Sequence, residues 1–339
     1  MHHRFFPALL IIAGLQSATA AEQIGGDKAF SFVALGDMPY AVPGDYVKFE
    51  RLITAVNKMK PAFSLHVGDT KGSKTPCTNE MLQKTFDQLQ TFDGPLVYTI
   101  GDNEWTDCHT KPAGGYDPRE RLAKVREIYF PDLDRSLGKA PMAVESQARL
   151  MPEFATYVEN VRFSKNEVVF IGVHIVGSNN GFEAFDLDGA KEYFARNRAN
   201  IAWIDAGFQF ARDTGAKAVV VFTQAEFDVS RLPDGSMPRQ SGFTGVLNAI
   251  ERGARALARP VLLVNGDEHY LELKPLRNSS GKPIPNVLKL MVYGEFDIHA
   301  VRVLVDPDSP GVFGFIPMIV PENGMGNCAQ PRCDASTAQ

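Results

Sequence analysis

Short apolar blocks recur along this chain, and four of them run directly into the dipeptide Gly-Asp. Phe30-Ser31-Phe32-Val33-Ala34-Leu35 leads into Gly36-Asp37, and Phe63-Ser64-Leu65-His66-Val67 into Gly68-Asp69. Leu96-Val97-Tyr98-Thr99-Ile100 leads into Gly101-Asp102, and Val261-Leu262-Leu263-Val264-Asn265 into Gly266-Asp267. Each block has strand length and strand composition. Between the first three, the apolar period lengthens to that of a helix. Phe49, Leu52, Ile53 and Val56 predict one over 46–60, stopped by Pro61. Leu82, Phe86 and Leu89 predict another over 79–92, with Asn79 as its expected N-cap. The order β-α-β-α-β predicts a parallel sheet with crossover helices.

Farther on, residues 102–117 form a polar loop, and Pro118 opens a helix to about residue 129. Residues 130–154 show no period and are expected to be an insertion over the acidic strand ends. A strand pair is expected over 156–163 and 168–174, turning at Lys165-Asn166. Helices are expected over 182–212 and 242–257. Strands are expected at 218–223, 261–264, 287–293, 300–305 and 312–316. No internal repeat is evident, and no Gly/Ser-rich linker marks a domain boundary.

Composition adds limits. The chain has 339 residues, 44% hydrophobic and 22% charged, an ordinary globular balance. Its net charge of -5 and the lack of a basic run offer no attraction for nucleic acid. His2, His3 and Arg4, the apolar stretch 5–15 and Ala18-Thr19-Ala20 have the order of a secretory signal. The expectation is therefore a signal over 1–20, a mature protein that is secreted or periplasmic, and no membrane contact after cleavage. Four cysteines suit that compartment. Their positions suggest the pairs Cys77–Cys108 and Cys328–Cys333, and the CxxC spacing of common zinc sites is absent.

The chemistry lies in the Gly-Asp ends. Parallel sheets collect ligands at the C-terminal lips of their strands. Asp37, Asp69, Asp102 and Asp267 would then converge on one small volume. Like charges that close need a cation, or some of the carboxyls are protonated. Oxygen donors with one imidazole, His269, favour Mg²⁺, Mn²⁺ or Ca²⁺ over Zn²⁺. Elsewhere, His66 is expected as a core histidine and Trp105 and Trp203 as packing residues. His174, Asn179 and Asn180 are expected to make structural hydrogen bonds, and His299 to begin a strand.

The order of these motifs resembles the calcineurin-like metallophosphoesterases, whose five blocks read D-x-H, G-D, G-N-H-[DE], H and G-H-x-H. They correspond here to Asp37-Met38-Pro39, Gly68-Asp69, Gly101-Asp102-Asn103-Glu104, Gln224 and Gly266-Asp267-Glu268-His269. Asn200-Ile201-Ala202-Trp203-Ile204 is similar to the family's Q-x-x-W-L helix. The resemblance implies a four-layer αββα sandwich, an α/β fold, over 27–320, followed by a tail over 321–339. It implies metal positions at Asp37, Asp69, Asp102, Gln224, Asp267 and His269, and a divalent cofactor. It further implies hydrolysis of a small phosphorylated substrate by activated water. Asn103 would donate to a phosphoryl oxygen, and Glu104 or His109 would supply the proton. Pro39, Asn103, Gln224 and Asp267 stand where the family has histidines. That departure favours an alternative, a relative that binds metal or a phosphorylated ligand without turnover. A purely structural exported protein ranks third.

Overall fold

The computed structural model describes residues 25–182, 186–226 and 241–325. The expected signal over 1–20 and the Cys328–Cys333 pair lie outside the described residues.

The described strands form two sheets. The first has the order β12-β11-β1-β2-β3. It is built from β1 (Phe30–Leu35), β2 (Ser64–His66), β3 (Leu96–Tyr98), β11 (Ala300–Val305) and β12 (Phe313–Met318). β1, β2 and β3 are parallel, with Val33 opposite Ser64 and Leu65 opposite Val97, while β11 and β12 are antiparallel additions. The second sheet has the order β4-β5-β6-β7-β8-β10-β9. Its strands are β4 (Glu145–Ser146), β5 (Val161–Lys165), β6 (Val168–Gly172), β7 (Ala218–Phe222), β8 (Val261–Asn265), β9 (Glu272–Arg277) and β10 (Pro283–Met291). β6, β7, β8 and β10 are parallel.

Alternation along the strands explains the layering. In β1, Phe32 and Ala34 face the second sheet, while Val33 and Leu35 face helices. In β7, Ala218, Val220 and Phe222 face the first sheet, and Val219 and Val221 face outward onto helices. Both faces of these strands are buried, which is why they read as unbroken apolar runs. The inter-sheet core is aromatic at its centre. Phe32 stacks on Phe63 at 5.3 Å between centroids, and Phe163 on Phe170 at 4.7 Å.

Helices α1 (Gly44–Met59), α2 (Asn79–Leu89) and α3 (Pro118–Tyr129) cover the first sheet through Phe49, Ile53, Leu82 and Val125. Helices α4 (Leu187–Asp213) and α5 (Thr244–Leu257) cover the second through Trp203, Phe208, Leu247 and Ile250. The result is the four-layer αββα sandwich that the resemblance implies.

Several local expectations are corrected. Thr78, not Asn79, caps α2, its hydroxyl accepting from the Met81 N–H at 3.1 Å. The hairpin between β5 and β6 turns at Asn166-Glu167, both with positive φ. β9 was not expected, because its polar, proline-containing sequence has the character of an edge strand and no apolar period. Residues 130–154 do not cover the acidic strand ends. Leu137 pairs with Leu96, at the start of β3, and Glu145 pairs with Arg162 of β5. The segment thus extends the sheet edges, away from the lip where Asp102 lies.

Candidate metal centre

One end of the sandwich gathers the strand ends of both sheets. From the first come Asp37, Asp69 and Asp102, after β1, β2 and β3. From the second come Gln224 and Asp267, after β7 and β8. Hydrogen bonds tie the two sets together. The Gln224 side-chain nitrogen donates to Asp69 Oδ2 at 3.1 Å, Asp102 Oδ1 at 2.9 Å and Asp267 Oδ1 at 3.2 Å. The Asp267 N–H donates to Asp37 Oδ1 at 3.1 Å.

The Gly-Asp pattern has a packing cause. A Cβ on Gly101 would lie 2.0 Å from Asp69 Oδ1, and one on Gly266 would lie 2.0 Å from Asp37 Oδ2. The glycine before one aspartate makes room for the aspartate of a different strand. Asp37 and Asp69 both adopt a φ of 54°, left-handed backbone that aspartate tolerates better than most side chains.

Asp37, Asp69 and His269 bring one ligand atom each to within 4.8 Å of one another. Asp37 is wholly buried, and its Oδ2 has no hydrogen-bond partner. An unpaired buried carboxylate oxygen is costly, and a cation removes that cost. His269 Nε2 is 3.9 Å from Asp37 Oδ1, and Nδ1 is 3.0 Å from Glu295 Oε2. A carboxylate behind the imidazole in this way orients a metal-binding ring. Two carboxylates and one imidazole, with an open oxygen between the sheets, fit a hard divalent ion.

Burial pushes the carboxyls of Asp37 and Asp267 up to about 7, the other acids of the cluster adding to the rise. Asp69 and Asp102 are raised well above the usual carboxylate range for the same reason. Burial opposes the charge on His269. The hydrogen bond to Glu295 and the nearby acids outweigh it and raise that imidazole to about 9. Tyr40 is half-buried beside Asp69 and stays protonated, desolvation and the nearby acids raising its pKa well above that of a free phenol. Its hydroxyl donates to Asp69 Oδ2 at 2.9 Å and lies 3.3 Å from His269 Nε2.

The expected catalytic residues part company here. Asn103 is in the centre. Its N–H donates to Asp69 Oδ1 at 3.0 Å, and its amide nitrogen donates to Tyr40 at 2.9 Å and Asp69 Oδ2 at 3.1 Å. Glu104 is not in the centre. It is fully buried and turned toward the helical layer, where Oε1 accepts from the Thr70 N–H at 2.6 Å and from Tyr98 at 3.1 Å. His109 is also outside. It is exposed at the end of a single helical turn, Thr106–His109, with Nδ1 2.7 Å from the Thr106 carbonyl. The bridge between Cys77 and Cys108 pins that turn and leaves the imidazole facing solvent.

A cleft of about 630 Å³ opens onto Asp69, Asn103, Asp267 and His269. Lys48, Lys74 and Phe296 line its outer part. Sequence reasoning did not anticipate Tyr40, Glu295 or Ser178. Ser178 donates to Asp102 Oδ2 at 3.1 Å from a left-handed turn just beyond β6. Its place after a parallel strand was the one available signal. His174 and Asn180 make structural contacts, to Glu159 and Arg196 respectively.

No protein-family model matches the sequence, and no curated protein matches it. Among solved structures, the chain is similar to a dimetal phosphatase from Danio rerio. The identity is 10% and the TM-score 0.49, over 86% of this chain and 98% of that one. It is also similar to GAP50, the anchor in the inner membrane complex of Plasmodium, at 9% identity and a TM-score of 0.46, over 86% and 89% of the two chains. A purple acid phosphatase from yellow lupin (Lupinus luteus) seeds is similar at 11% identity and a TM-score of 0.43, over 87% of this chain and 55% of that one.

Proposed function

We propose that this protein is a metal-dependent phosphoesterase, holding a divalent cation on Asp37, Asp69 and His269 and hydrolysing a small phosphate ester in the cleft above them. The observation that carries the proposal is the buried, unpartnered Oδ2 of Asp37 beside an aspartate and a histidine. When bound, such a cation polarises a phosphoryl oxygen and activates water. The chain's own groups bind and orient. Lys48 and Lys74 line the cleft and draw a phosphate toward an otherwise acidic floor. Glu295 holds the His269 ring in place. Tyr40, protonated at neutral pH, donates its hydroxyl proton to Asp69 Oδ2 and so orients that carboxylate.

A second reading, binding without turnover, is favoured by one observation. Glu104 and His109 are out of the cleft, Asn103 already donates to Tyr40 and Asp69, and the Tyr40 hydroxyl already donates to Asp69, so each of these candidate donors to a leaving group is placed elsewhere or engaged. Export to the periplasm or the medium belongs to the same proposal. It is supported by the order of residues 2–20 and by the Cys77–Cys108 bridge.

Hydrolysis of p-nitrophenyl phosphate and bis-p-nitrophenyl phosphate with Mn²⁺ or Mg²⁺ tests the proposal. Turnover that falls at least 100-fold in Asp69→Asn is expected. Cation-dependent binding of the ester with no turnover would leave the second reading standing. Neither binding nor turnover would reject both.

A further inference from the structure

The first cation position, on the reading above, is the open one bounded by Asp37, Asp69 and His269. We infer that the second position, among Asp69, Asp102 and Asp267, is filled by the carboxamide nitrogen of Gln224, so that the centre takes one divalent cation and not two. The inference rests on that reading only for the first ion.

The geometry of the nitrogen carries it. Three carboxylate oxygens from three different strand ends surround it at 2.9, 3.1 and 3.2 Å. These are hydrogen-bond distances, longer than the ~2.0–2.6 Å at which oxygen holds Mg²⁺ or Ca²⁺. A cation and the amide cannot share that point. The amide's orientation is also set. Its Oε1 accepts from the Gly177 N–H at 2.6 Å, and a backbone N–H cannot exchange roles, so the NH₂ must face the acids. Gly177 has to be glycine for this, because a Cβ there would lie 2.6 Å from both Asp102 Oδ2 and Asp267 Oδ1.

The remaining oxygens are satisfied by protein donors as well. Asp102 Oδ2 accepts from Ser178 at 3.1 Å, and Asp267 Oδ2 accepts from the Glu226 N–H at 2.9 Å. Asp69 Oδ1 accepts from the Asn103 N–H at 3.0 Å. Every carboxylate oxygen of Asp69, Asp102 and Asp267 thus has a donor within the chain. Asp37 Oδ2 has none. The half of the centre that lacks donors is the half that needs an ion. The half built around Gln224 is already closed.

Manganese supplies the probe. Calorimetric titration of the full protein should give one Mn²⁺ per chain, with the six-line electron paramagnetic resonance of an isolated ion. Gln224→His removes the donating amide and offers a nitrogen ligand. It should take one Mn²⁺ more than the wild type, with an exchange-coupled spectrum if the first ion is present. No gain in the folded variant would overturn the inference. If the wild type binds no ion, the proposed function fails on that point, while the gain in Gln224→His still decides the role of Gln224. Should the variant not fold, anomalous diffraction from Mn²⁺-soaked wild-type crystals decides. No ion among Asp69, Asp102 and Asp267 supports the inference. An ion there, with the Gln224 side chain displaced, overturns it, whatever the first position holds.

Discussion

Glu104 shows how one carboxylate can be adjacent to a site in sequence and apart from it in space. It follows Asp102 and Asn103 by two positions and one, yet its carboxylate turns away from both. Oε1 accepts from the Thr70 N–H, the Thr70 hydroxyl and Tyr98, three buried donors that have no other carboxylate at hand. Lys71 is buried nearby, its ammonium disfavoured by burial and favoured by the Glu104 charge. Glu104→Ala should therefore cost about 2–4 kcal/mol of stability, because it strands buried donors. Denaturant unfolding measures this, and Mn²⁺ stoichiometry should not change in the protein that remains folded. His109→Ala should shift stability by no more than about 0.5 kcal/mol and leave ester hydrolysis within twofold of wild type. A 100-fold loss of hydrolysis in a stable Glu104→Gln or His109→Ala variant would return that residue to the catalytic set.

At the scale of elements, the loops after β2 and β3 act as one unit. They leave the same edge of a parallel sheet, and Cys77 and Cys108 join them with 5.8 Å between Cα atoms. The bridge is buried with Ala113 and packs against Tyr116. The joined loops carry Lys74 and Asn103, so they build one wall of the cleft. The sequence separation is 31 residues, for which chain entropy gives a stabilisation of about 3–4 kcal/mol. Cys77→Ala/Cys108→Ala should keep the fold, lower the urea midpoint accordingly and weaken Mn²⁺ binding. Peptide mapping without reductant should recover residues 77 and 108 in one linked fragment. Finding Cys108 free, or joined to Cys328 or Cys333, would end this account of the wall.

Across the whole molecule, two buried histidines set part of the response to acid. His66 lies in β2, accepts the Gly68 N–H on Nδ1, and is held to about 3 by burial. His174 lies beyond β6 and is held to about 4, burial and the Arg196 and Arg126 charges outweighing its hydrogen bond to Glu159. In the unfolded chain both return to about 6.5. Between pH 4 and 6.5 the unfolded state binds more protons, so their contribution is complete above 6.5 and is lost as pH falls. Each can supply a slope of up to about 1.4 kcal/mol per pH unit. The acid cluster works the other way. Asp37 and Asp267 are raised to about 7, so the folded chain keeps protons there that the unfolded chain has released, and stability from them declines as pH rises toward 7. Urea unfolding from pH 4.5 to 7.5, compared between wild type and His66→Gln or His174→Gln, isolates the histidine part. Each variant should lose about half of it, and an unchanged slope in both would refute the assignment.

Local pattern was enough for much of this architecture. The alternation in β1, the valines of β7, the 3.6-residue spacing in α1 and the Gly-Asp strand ends all depend on neighbours a few residues away. The chain therefore announced most of its strands, its main helices and the four aspartates that meet at one lip. The Cys77–Cys108 pair followed from the two loops sharing an edge. Contacts between distant segments decided the rest. Whether Asn103 points in and Glu104 out depends on Asp69 and Thr70, which reach them from the end of β2. Whether Gln224 presents oxygen or nitrogen to the acids depends on the Gly177 N–H, 47 residues away. Tyr40 and Glu295 carry no local mark of a site, Ser178 has only its place after a parallel strand, and β9 carries no apolar period, because what they face is supplied by chain far from them. A sequence fixes side-chain chemistry and period, which are local. The direction in which a loop side chain points is set by whichever distant donor or wall reaches it first, and only the packed molecule determines that.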